Sequence, residues 1–200
     1  MELILASGSP RRRELLSMCG YEFTVMKSEA SEETEPLPPD ELVKRLAEAK
    51  ALSVFSSLPK ERQCEAVVLG SDTVVVLGGA VLGKPKDAED AVNMLRMESG
   101  RENTVYTGVS AVRMNGEGVE CVSVCDAARV MFAELTDDEI RDYVATGDPL
   151  DKAGAYGIQG PFSVHITGVV GSYFTVVGLP VHTVYKLLKS FGVTPSQSRA

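Results

Sequence analysis

A cluster of small polar and basic residues follows the apolar stretch LILA near the N-terminus. The members suited to binding an anion are Ser7, Gly8, Ser9, Arg11 and Arg12. Ser9 and Pro10 are typical of the N-cap and first turn of a helix, so the serine hydroxyls would lie beside free backbone amides. Because a helix dipole and guanidinium groups attract negative charge, this segment predicts an anion-binding turn. A solvated basic turn is the alternative interpretation.

Helical geometry limits how many of the three consecutive arginines face one ligand. Successive side chains diverge by about 100° around a helix axis, so the three guanidinium groups point in different directions. We expect Arg11 and Arg12 to face the anion and Arg13 to face solvent or a surface partner. Gly8 is expected to allow a tight turn and a close approach of the backbone to the ligand.

A second polar site is predicted around Asp72, which follows the apolar run VVLG. We expect a buried strand, a polar break at residues 71–73, and then a hairpin that turns at Gly78 and Gly79. An ionised carboxylate at the end of such a strand must be solvated, paired or metal-bound, and strand ends are where α/β folds place their sites. A turn aspartate that bonds its own backbone is the alternative. Thr73 adds a hydroxyl at the same place.

The acidic, proline-rich stretch 28–40 contains four glutamates. They are Glu29, Glu32, Glu33 and Glu35. A solvated loop accounts for most of them, although one could reach Asp72 and share a hard divalent cation, which prefers oxygen ligands. The sequence does not select which glutamate this is. Lys50 and Lys84 are each typical of surface lysines, but together with the arginines they would neutralise a triphosphate.

The glycine-rich segment, residues 147–160 (GDPLDKAGAYGIQG), has the composition of a loop that wraps around a planar ligand. Gln159 carries both a donor and an acceptor, which is the pattern needed to recognise the edge of a base. Asp151 and Lys152 bring opposite charges to the same segment. The glycines do not form GxGxxG between a strand and a helix, so a dinucleotide-binding motif is excluded.

The elements that must position these residues favour an α/β fold. Residues 21–27 are predicted as a strand, two long strands are predicted over 103–114 and 118–134, and two short strands are expected after the glycine-rich segment. Helical segments alternate with these strands, and hairpins join several of them. We therefore expect a mixed, twisted sheet with flanking helices rather than a purely parallel sheet.

Helix ends and chain length complete this outline. Asp87 is a predicted N-cap, and Thr136 with Glu139 predicts a capping box. A chain of 200 residues suits a single domain over 1–200, with a short flexible tail at about 194–200.

Composition restricts the class of partner. The formal net charge is −8, which argues against bulk binding to nucleic acid but allows a small polyanion to bind a few converging cations. The four cysteines lack metal-binding spacing, so reduced thiols are expected. No apolar run is long enough to span a bilayer, and the N-terminus lacks the pattern of a secretory signal. We therefore expect a cytoplasmic protein with a small-molecule ligand and neither nucleic acid nor a membrane as partner.

Several motifs resemble the Maf proteins in order and spacing, from about residue 3 to about residue 190. They are LILASGSPRRRELL, LGSDTVVV, GKPKDAEDAVNML, YTGVS, YVATGDPLDKAGAYGIQG and SYFTVVGLP. Maf proteins are nucleoside triphosphate pyrophosphatases related in fold to the inosine triphosphate pyrophosphatases. The resemblance implies an α/β fold with two lobes around a central cleft, in a homodimer.

The resemblance also implies roles for individual residues. The branch of the family that resembles this chain hydrolyses dTTP and UTP, and its characteristic positions match Arg11, Thr73 and Gln159, whereas the branch that prefers 7-methyl-GTP lacks AYGIQG. The family's acidic base matches Asp72. The further polar site positions match Ser7, Arg12, Glu32, Lys50, Lys84, Asp151 and Lys152.

Two departures from the family pattern affect these assignments. Ser31 stands where many relatives have a second acid, and the alignment slips there by about a residue, so Glu33 is an alternative to Glu32. Pro161 and Phe162 replace a glycine-rich turn, which would reshape the pocket for the base.

The predicted reaction is attack of water on the α-phosphorus of a nucleoside triphosphate, which gives the monophosphate and pyrophosphate. Its expected catalytic residues are Asp72, Glu32 and Lys84, with Asp72 orienting or deprotonating the water. Glu32 and Asp72 would bind Mg²⁺ or Mn²⁺. The expected substrate-binding residues are Ser7, Ser9, Arg11, Arg12, Lys50, Thr73, Asp151, Lys152 and Gln159.

Two other classes of function remain open at this point. A binding module could sense nucleotides without cleaving them, and it would not need Asp72 with a metal partner. An interaction protein, for example one in cell-division control, could retain the pocket without using it. Release of pyrophosphate from UTP distinguishes an enzyme from both.

Overall fold

The computed structural model describes residues 1–31, 35–116 and 118–196. In that part of the chain the strands are β1 (Glu2–Ala6), β2 (Thr24–Val25), β3 (Ala66–Leu77), β4 (Ala80–Leu82), β5 (Glu102–Asn115), β6 (Gly118–Phe132) and β7 (Ile166–Val170). The α-helices are α1 (Pro10–Met18), α2 (Pro39–Ser57), α3 (Lys60–Gln63), α4 (Ala88–Glu98), α5 (Asp137–Ala145), α6 (Tyr173–Val177) and α7 (Val181–Ser190). Short 3₁₀ turns cover Asp148–Asp151, Ala153–Ala155 and Pro161–His165. Among the described residues, none of the helices has the length and apolar character needed to cross a membrane.

The seven strands form one mixed sheet in the order β2-β1-β3-β5-β6-β7, with β4 paired to β3. Strand β1 is parallel to both β2 and β3, and its register with β3 pairs Leu5 with Leu69 and Ala6 with Gly70. The β3–β4 and β6–β7 pairs are antiparallel. The prediction of an α/β fold with a mixed sheet and flanking helices is therefore confirmed.

The chain divides into two compact units. Unit 1 is drawn from residues 1–72, 107–126 and 178–200, and unit 2 from residues 73–106 and 127–177. Each unit has an apolar core of its own. The core of unit 1 includes Ile4, Ala51, Val54, Phe55, Val68 and Val112. The core of unit 2 includes Val75, Leu95, Val130, Phe132, Ile140, Tyr143, Tyr156 and Phe162.

Helix α2 of unit 1 lies unusually close to two strands. A Cβ atom placed on Gly70 of β3 would lie 2.2 Å from the backbone oxygen of Ala47, and one on Gly108 of β5 would lie 2.2 Å from that of Val43. No side chain fits at such distances, so only glycine allows this approach. The two glycines thus fix where α2 sits, and with it the side chain of Lys50.

Several local predictions are confirmed by the structure. Helix α4 has Asp87 as its N-cap, whose carboxylate accepts from the Asp90 amide at 2.8 Å. Helix α5 has the complete capping box between Thr136 and Glu139. The hairpin at residues 78–79 joins β3 to β4, as expected from its two glycines.

One strand prediction is too long, and two others are wrong. The strand expected over 21–27 is only Thr24–Val25, because it is an edge strand that pairs with β1 at two positions. The polar break at 71–73 does not occur, and β3 runs through it without interruption. The second short strand expected after the glycine-rich segment is helix α6, which follows Gly171 with its φ of 112°.

The described part of the predicted tail is attached to unit 1. The Ser196 amide donates to the Gly20 backbone oxygen at 2.8 Å, and its hydroxyl donates to the Glu22 carboxylate at 3.2 Å. Residues 197–200 of that predicted tail lie outside the described residues.

Candidate functional site

The N-terminal polar turn leads directly from β1 into α1. Ser9 occupies the N-cap with an extended backbone (φ −73°, ψ 120°), but its side chain makes no capping hydrogen bond, which corrects the expected capping role. Instead, the backbone amide of Ser9 donates to the Ser7 hydroxyl at 3.2 Å. Ser7 is buried and Ser9 is half-buried, so this bond stabilises the turn that begins the helix.

Gly8 is exposed and lies in the turn between β1 and α1. Its φ lies outside the left-handed region, so the turn itself does not require glycine there. A Cβ on Gly8 would lie 3.7 Å from the aliphatic carbons of Lys27, which is ordinary contact. The sequence interpretation missed Lys27, whose exposed ammonium group adds a cation to the same face of unit 1.

Arg12 is held by the backbone of two other segments of unit 1. Its Nε donates to the Gly178 oxygen at 2.8 Å, and its Nη1 donates to the Ser71 oxygen at 2.7 Å. The Ser71 hydroxyl also donates to the Gly178 oxygen, at 3.1 Å. The guanidinium group therefore lies at the residue that precedes Asp72, although the two are 60 positions apart in the sequence.

The other two arginines differ in burial as the sequence suggested. Arg11 is half-buried and Arg13 is exposed. Arg13 lines a surface groove of about 680 Å³ on unit 1, together with Tyr21 and Phe23. It therefore lies apart from the Arg12–Ser71 contact.

Asp72 forms a buried ion pair with Lys50. Lys50 Nζ lies 2.6 Å from Asp72 Oδ1, and the two side chains are 15% and 12% exposed. Asp72 is not at a strand end, as the sequence suggested, but within the continuous strand β3. The strand continues because its polar side chains find partners: Ser71 bonds Gly178, and Asp72 bonds Lys50.

The ion pair compensates for the burial of the Asp72 carboxylate. An ionised carboxylate that is nearly removed from water is stable only if it is paired or hydrogen-bonded. Helix α2 delivers the Lys50 ammonium to Asp72 because Gly70, two residues earlier in β3, lets that helix approach. Unit 1 thus brings together a carboxylate, an ammonium, a guanidinium and the serine turn.

Asp72 is the one predicted metal ligand that lies among the described residues. Glu32 and Glu33, the two predicted partners of Asp72, lie outside the described residues. Within residues 1–31, 35–116 and 118–196, no group of three or more His, Cys, Asp or Glu side chains is arranged to hold a metal ion. A single nearly buried carboxylate fits Mg²⁺ that is bound largely through substrate phosphates, since Mg²⁺ commonly uses only one or two protein carboxylates.

In unit 2, the glycine-rich segment is held together by Lys152. Its Nζ lies 2.9 Å from Asp148 Oδ1 and 2.7 Å from Asp151 Oδ1, and its side chain is 10% exposed. The predicted pair Asp151 and Lys152 therefore lies within one charged cluster. Asp148, which the sequence interpretation did not select, is its third member.

Tyr143 of helix α5 connects this cluster to the middle of the segment. Its hydroxyl donates to Asp148 Oδ2 at 2.6 Å and accepts from the Gly157 amide at 3.2 Å. Burial, followed by the hydrogen bond to Asp148, raises the pKa of Tyr143 well above its usual value, so the hydroxyl remains protonated. Gln159, two residues after Gly157, is exposed.

The segment contains an unusual backbone conformation. Gly154 and Ala155 both have left-handed φ values, 71° and 59°. A non-glycine residue rarely adopts this region, and such strain concentrates at functional sites. The Gly154 amide donates to the Gly83 oxygen at 3.0 Å, which brings Lys84, an exposed residue, beside the segment.

An aromatic cluster fixes the end of the segment. Phe162 is 1% exposed, and its ring lies 5.6 Å from that of Tyr156 and 4.8 Å from that of Tyr143. Phe132 packs edge-on against both Tyr156 and Phe162. The Pro161-Phe162 departure therefore adds an apolar anchor to the core of unit 2.

The predicted site residues thus fall into two groups. Those described in unit 1 are Ser7, Ser9, Arg11, Arg12, Lys50 and Asp72. Those in unit 2 are Thr73, Lys84, Asp151, Lys152 and Gln159. Thr73 is half-buried and directly follows Asp72 in β3.

Comparison with known proteins matches nearly the whole chain. The model of the family described as Maf-like protein matches residues 2–191. A protein of Moorella thermoacetica is 50% identical over 193 residues, which is 96% of each chain, and one of Pelotomaculum thermopropionicum is 46% identical over 193 residues, 96% of this chain and 97% of the relative. A protein of Bacillus pumilus is 43% identical over 195 residues, 97% of this chain and 98% of the relative. All three are named dTTP/UTP pyrophosphatase.

Proposed function

This chain belongs to the Maf-like protein family, and from that premise we propose that it hydrolyses dTTP and UTP to the monophosphate and pyrophosphate. The names of relatives that are 40–50% identical over most of the chain support the substrate. The observation that carries the chemistry is the buried Lys50–Asp72 pair with Arg12 held at the preceding residue.

We assign phosphate binding to the cationic residues of unit 1 and to the turn before α1. Arg11 and Arg12 would neutralise phosphate oxygens, and the hydroxyls of Ser7 and Ser9 would bond them beside the helix N-terminus. Lys50 would contact a phosphate while it stays paired with Asp72. Phosphoryl transfer depends mainly on such positioning and charge neutralisation, so these residues would supply much of the rate.

The hydrolytic step itself is assigned to Asp72. Its carboxylate would accept a proton from a water molecule, and the oxygen of that water would form a bond to the α-phosphorus. The bond from the α-phosphorus to its bridging oxygen breaks, and pyrophosphate leaves with both bonding electrons. Bound Mg²⁺ or Mn²⁺, held by Asp72, Glu32 and the phosphates, would supply further charge neutralisation.

We assign recognition of the base to unit 2. Gln159 would donate to and accept from the edge of uracil or thymine, and a base with the wrong pattern would leave that amide unpaired. Thr73 would add a hydroxyl, and Asp151 and Lys152 would complete the polar surroundings of the nucleotide. Lys84 would help to neutralise the phosphates. The internal pairing of Lys152 supports a role in which it shapes the segment as well as contacting substrate.

The test is Asp72→Asn, measured as pyrophosphate release from UTP and dTTP with added Mg²⁺. Because the amide keeps the shape but cannot accept the proton, turnover should fall by about 100-fold or more. Asp126→Asn is the matched control, since Asp126 is a carboxylate of unit 1 that accepts from the Thr183 hydroxyl at 3.3 Å. Near-normal turnover in Asp72→Asn would overturn the assignment of the base.

A wild-type protein that binds UTP but releases no pyrophosphate would instead identify a nucleotide sensor. The homodimer implied by the family resemblance remains a prediction. Sedimentation of the purified protein measures its mass directly.

A further inference from the structure

Glu98 is a fully buried acidic residue that the proposed reaction does not use. It ends helix α4 in unit 2, and it is 0% exposed. Its Oε1 accepts from Asn103 Nδ2 at 2.7 Å. In the described part of the chain, its Oε2 is buried and has no hydrogen-bond partner.

The surroundings of Glu98 favour the neutral acid. Burial raises the pKa of Glu98 from 4.5 to about 8, and the hydrogen bond from Asn103 opposes this only in part. A negative charge at the C-terminal end of a helix is also unfavourable, because the helix dipole is negative there. Glu98 is therefore protonated at neutral pH, and its Oε1 accepts the amide hydrogen of Asn103 in that state.

Asn103 connects Glu98 to the glycine-rich segment by a second hydrogen bond. Its Oδ1 accepts from the Tyr156 hydroxyl at 3.3 Å. Asn103 and Tyr156 are 2% and 5% exposed, so water does not compete for the bond. Burial, and then the nearby Glu98, raise the pKa of Tyr156 well above its usual value, which keeps its hydroxyl protonated as a donor.

Tyr156 lies between the left-handed residues of the segment and the residue that bonds Tyr143. It follows the left-handed pair Gly154 and Ala155, and it precedes Gly157, whose amide is bonded to Tyr143. Its ring packs edge-on against Phe132 with centroids 4.8 Å apart. The hydroxyl bond therefore fixes the side-chain rotamer of Tyr156. Gln159 follows three residues later in the same segment.

We propose that Glu98, Asn103 and Tyr156 form a positioning network that fixes the glycine-rich segment and so determines how tightly a pyrimidine nucleotide is bound. The proposal rests on the assignment of base recognition to that segment. These three are positioning residues, because they act through Gln159 and its neighbours rather than on the reacting atoms. Loosening the network should therefore raise KM and leave kcat nearly unchanged.

Most titratable groups described on the elements around this network have partners of their own or are exposed. His165 is half-buried, and its ring lies 5.3 Å from that of Phe162. On α5, which packs against α4, Asp137, Asp138, Glu139, Arg141 and Asp142 are exposed. Tyr143 of the same helix bonds Asp148, and Lys152 pairs with Asp148 and Asp151. Glu102 and Arg129, on strands β5 and β6, are exposed and pair with each other.

The first test compares two variants that each lose a buried tyrosine hydroxyl. Tyr156→Phe removes the bond to Asn103 and should raise KM for UTP about fivefold with kcat within about twofold. Amide exchange over residues 153–160 should also become about tenfold faster. Tyr21→Phe is the control, since the Tyr21 hydroxyl is buried with no hydrogen-bond partner among the described residues.

The second test uses Glu98→Gln, which keeps the shape of the side chain and is neutral at every pH. Since the folded pKa of Glu98 is raised, its contribution to stability is complete below about 4.5 and is lost as pH rises through about 8. In the wild type, KM for UTP and exchange over 153–160 should both rise between about pH 7 and about pH 9 as Glu98 ionises. Glu98→Gln should remove that rise and behave like wild type at about pH 7.

These measurements test the positioning network separately from the proposed hydrolysis of UTP and dTTP. Unchanged exchange and KM in Tyr156→Phe, or equal effects in Tyr21→Phe, would overturn the network. If Tyr156→Phe does not fold, the pH profile of Glu98→Gln decides, and a rise identical to that of the wild type refutes the proposal. If the wild type does not hydrolyse UTP or dTTP, the proposed function fails, while the exchange measurements still test the network.

Discussion

Units 1 and 2 position their candidate residues by different physical means. In unit 1, helix α2 and strand β3 bring Lys50 and Asp72 within 2.6 Å, and two glycines fix the distance between helix and sheet. In unit 2, the glycine-rich segment consists of 3₁₀ turns and extended residues, and it is held by side chains that bond its backbone and one another. Regular elements thus position charge in unit 1, whereas in unit 2 side-chain contacts, including the ion pairs of Lys152, position a loop.

This difference matches the demands of the proposed chemistry. A charged group that acts on a phosphate loses hydration free energy when it is buried, and it must keep a fixed position. Rigid helices and strands provide that position. A segment that recognises a base must present donors and acceptors from a shaped backbone, which turns provide better than helices. We therefore expect changes in unit 1 to affect folding and kcat, and changes in unit 2 to affect KM.

The largest effect is expected from Gly70→Ala, which tests whether helix placement controls unit 1. Its new Cβ would lie 2.2 Å from the Ala47 oxygen, so α2 must move away from the sheet. We expect a loss of about 4 kcal/mol or more in the free energy of unfolding, measured by denaturant titration. Gly116→Ala is the control, because a Cβ there meets nothing within 4 Å. Equal stability of the two variants would show that the close approach is unimportant.

An intermediate effect is expected from Lys50→Met, which leaves Asp72 buried without its cation. Breaking a buried pair from one side typically costs about 3–5 kcal/mol, and hydrolysis should fall by about 10-fold to 100-fold in kcat. Lys44→Met is a matched control on the same helix, since Lys44 pairs with Glu41 with side chains that are 27% and 53% exposed. If both variants lose the same activity, the burial of the Lys50–Asp72 pair has no special role.

The smallest effect is expected from Tyr143→Phe, which tests whether side-chain hydrogen bonds position the glycine-rich segment of unit 2. The change removes the donor to Asp148 and the acceptor of the Gly157 amide, at a cost of about 1–2 kcal/mol in stability. KM for UTP should rise about fivefold while kcat changes little. Tyr173→Phe, at an exposed tyrosine of unit 2, should leave both constants unchanged. A fall in kcat without a change in KM would contradict the division of roles between the units.

The sequence was sufficient to predict elements with strong local patterns. Capping residues and paired glycines predicted the starts of α4 and α5 and the hairpin at 78–79. The pairing of Lys50 with Asp72 was not predicted, because it depends on Gly70 and Gly108, whose role appears only when a helix is laid on the sheet. The prediction of a break at 71–73 failed for the same reason, since distant partners satisfy its polar groups.

The supporting residues of unit 2 were harder to predict. Tyr143, Asp148 and Glu98 carry no motif, and each resembles an ordinary residue of an amphipathic helix or turn. Their importance arises from contacts that no motif encodes. Tyr143 bonds Asp148 and Gly157, and Glu98 bonds Asn103, which in turn bonds Tyr156, 53 positions away. One local feature could have drawn attention to Glu98. It is a glutamate at a position of α4 where the spacing of Ala91 and Leu95 leads one to expect an apolar residue.

The attachment of Arg12 to two backbone oxygens has a consequence for the thermodynamics of association. A free arginine side chain loses rotamer entropy when it clamps a ligand, and this loss weakens affinity. Here that loss is incurred during folding, because Nε and Nη1 are already fixed by Gly178 and Ser71. Lysine, with one ammonium group, cannot reproduce this fork, so Arg12→Lys would retain the positive charge and lose the preorganisation.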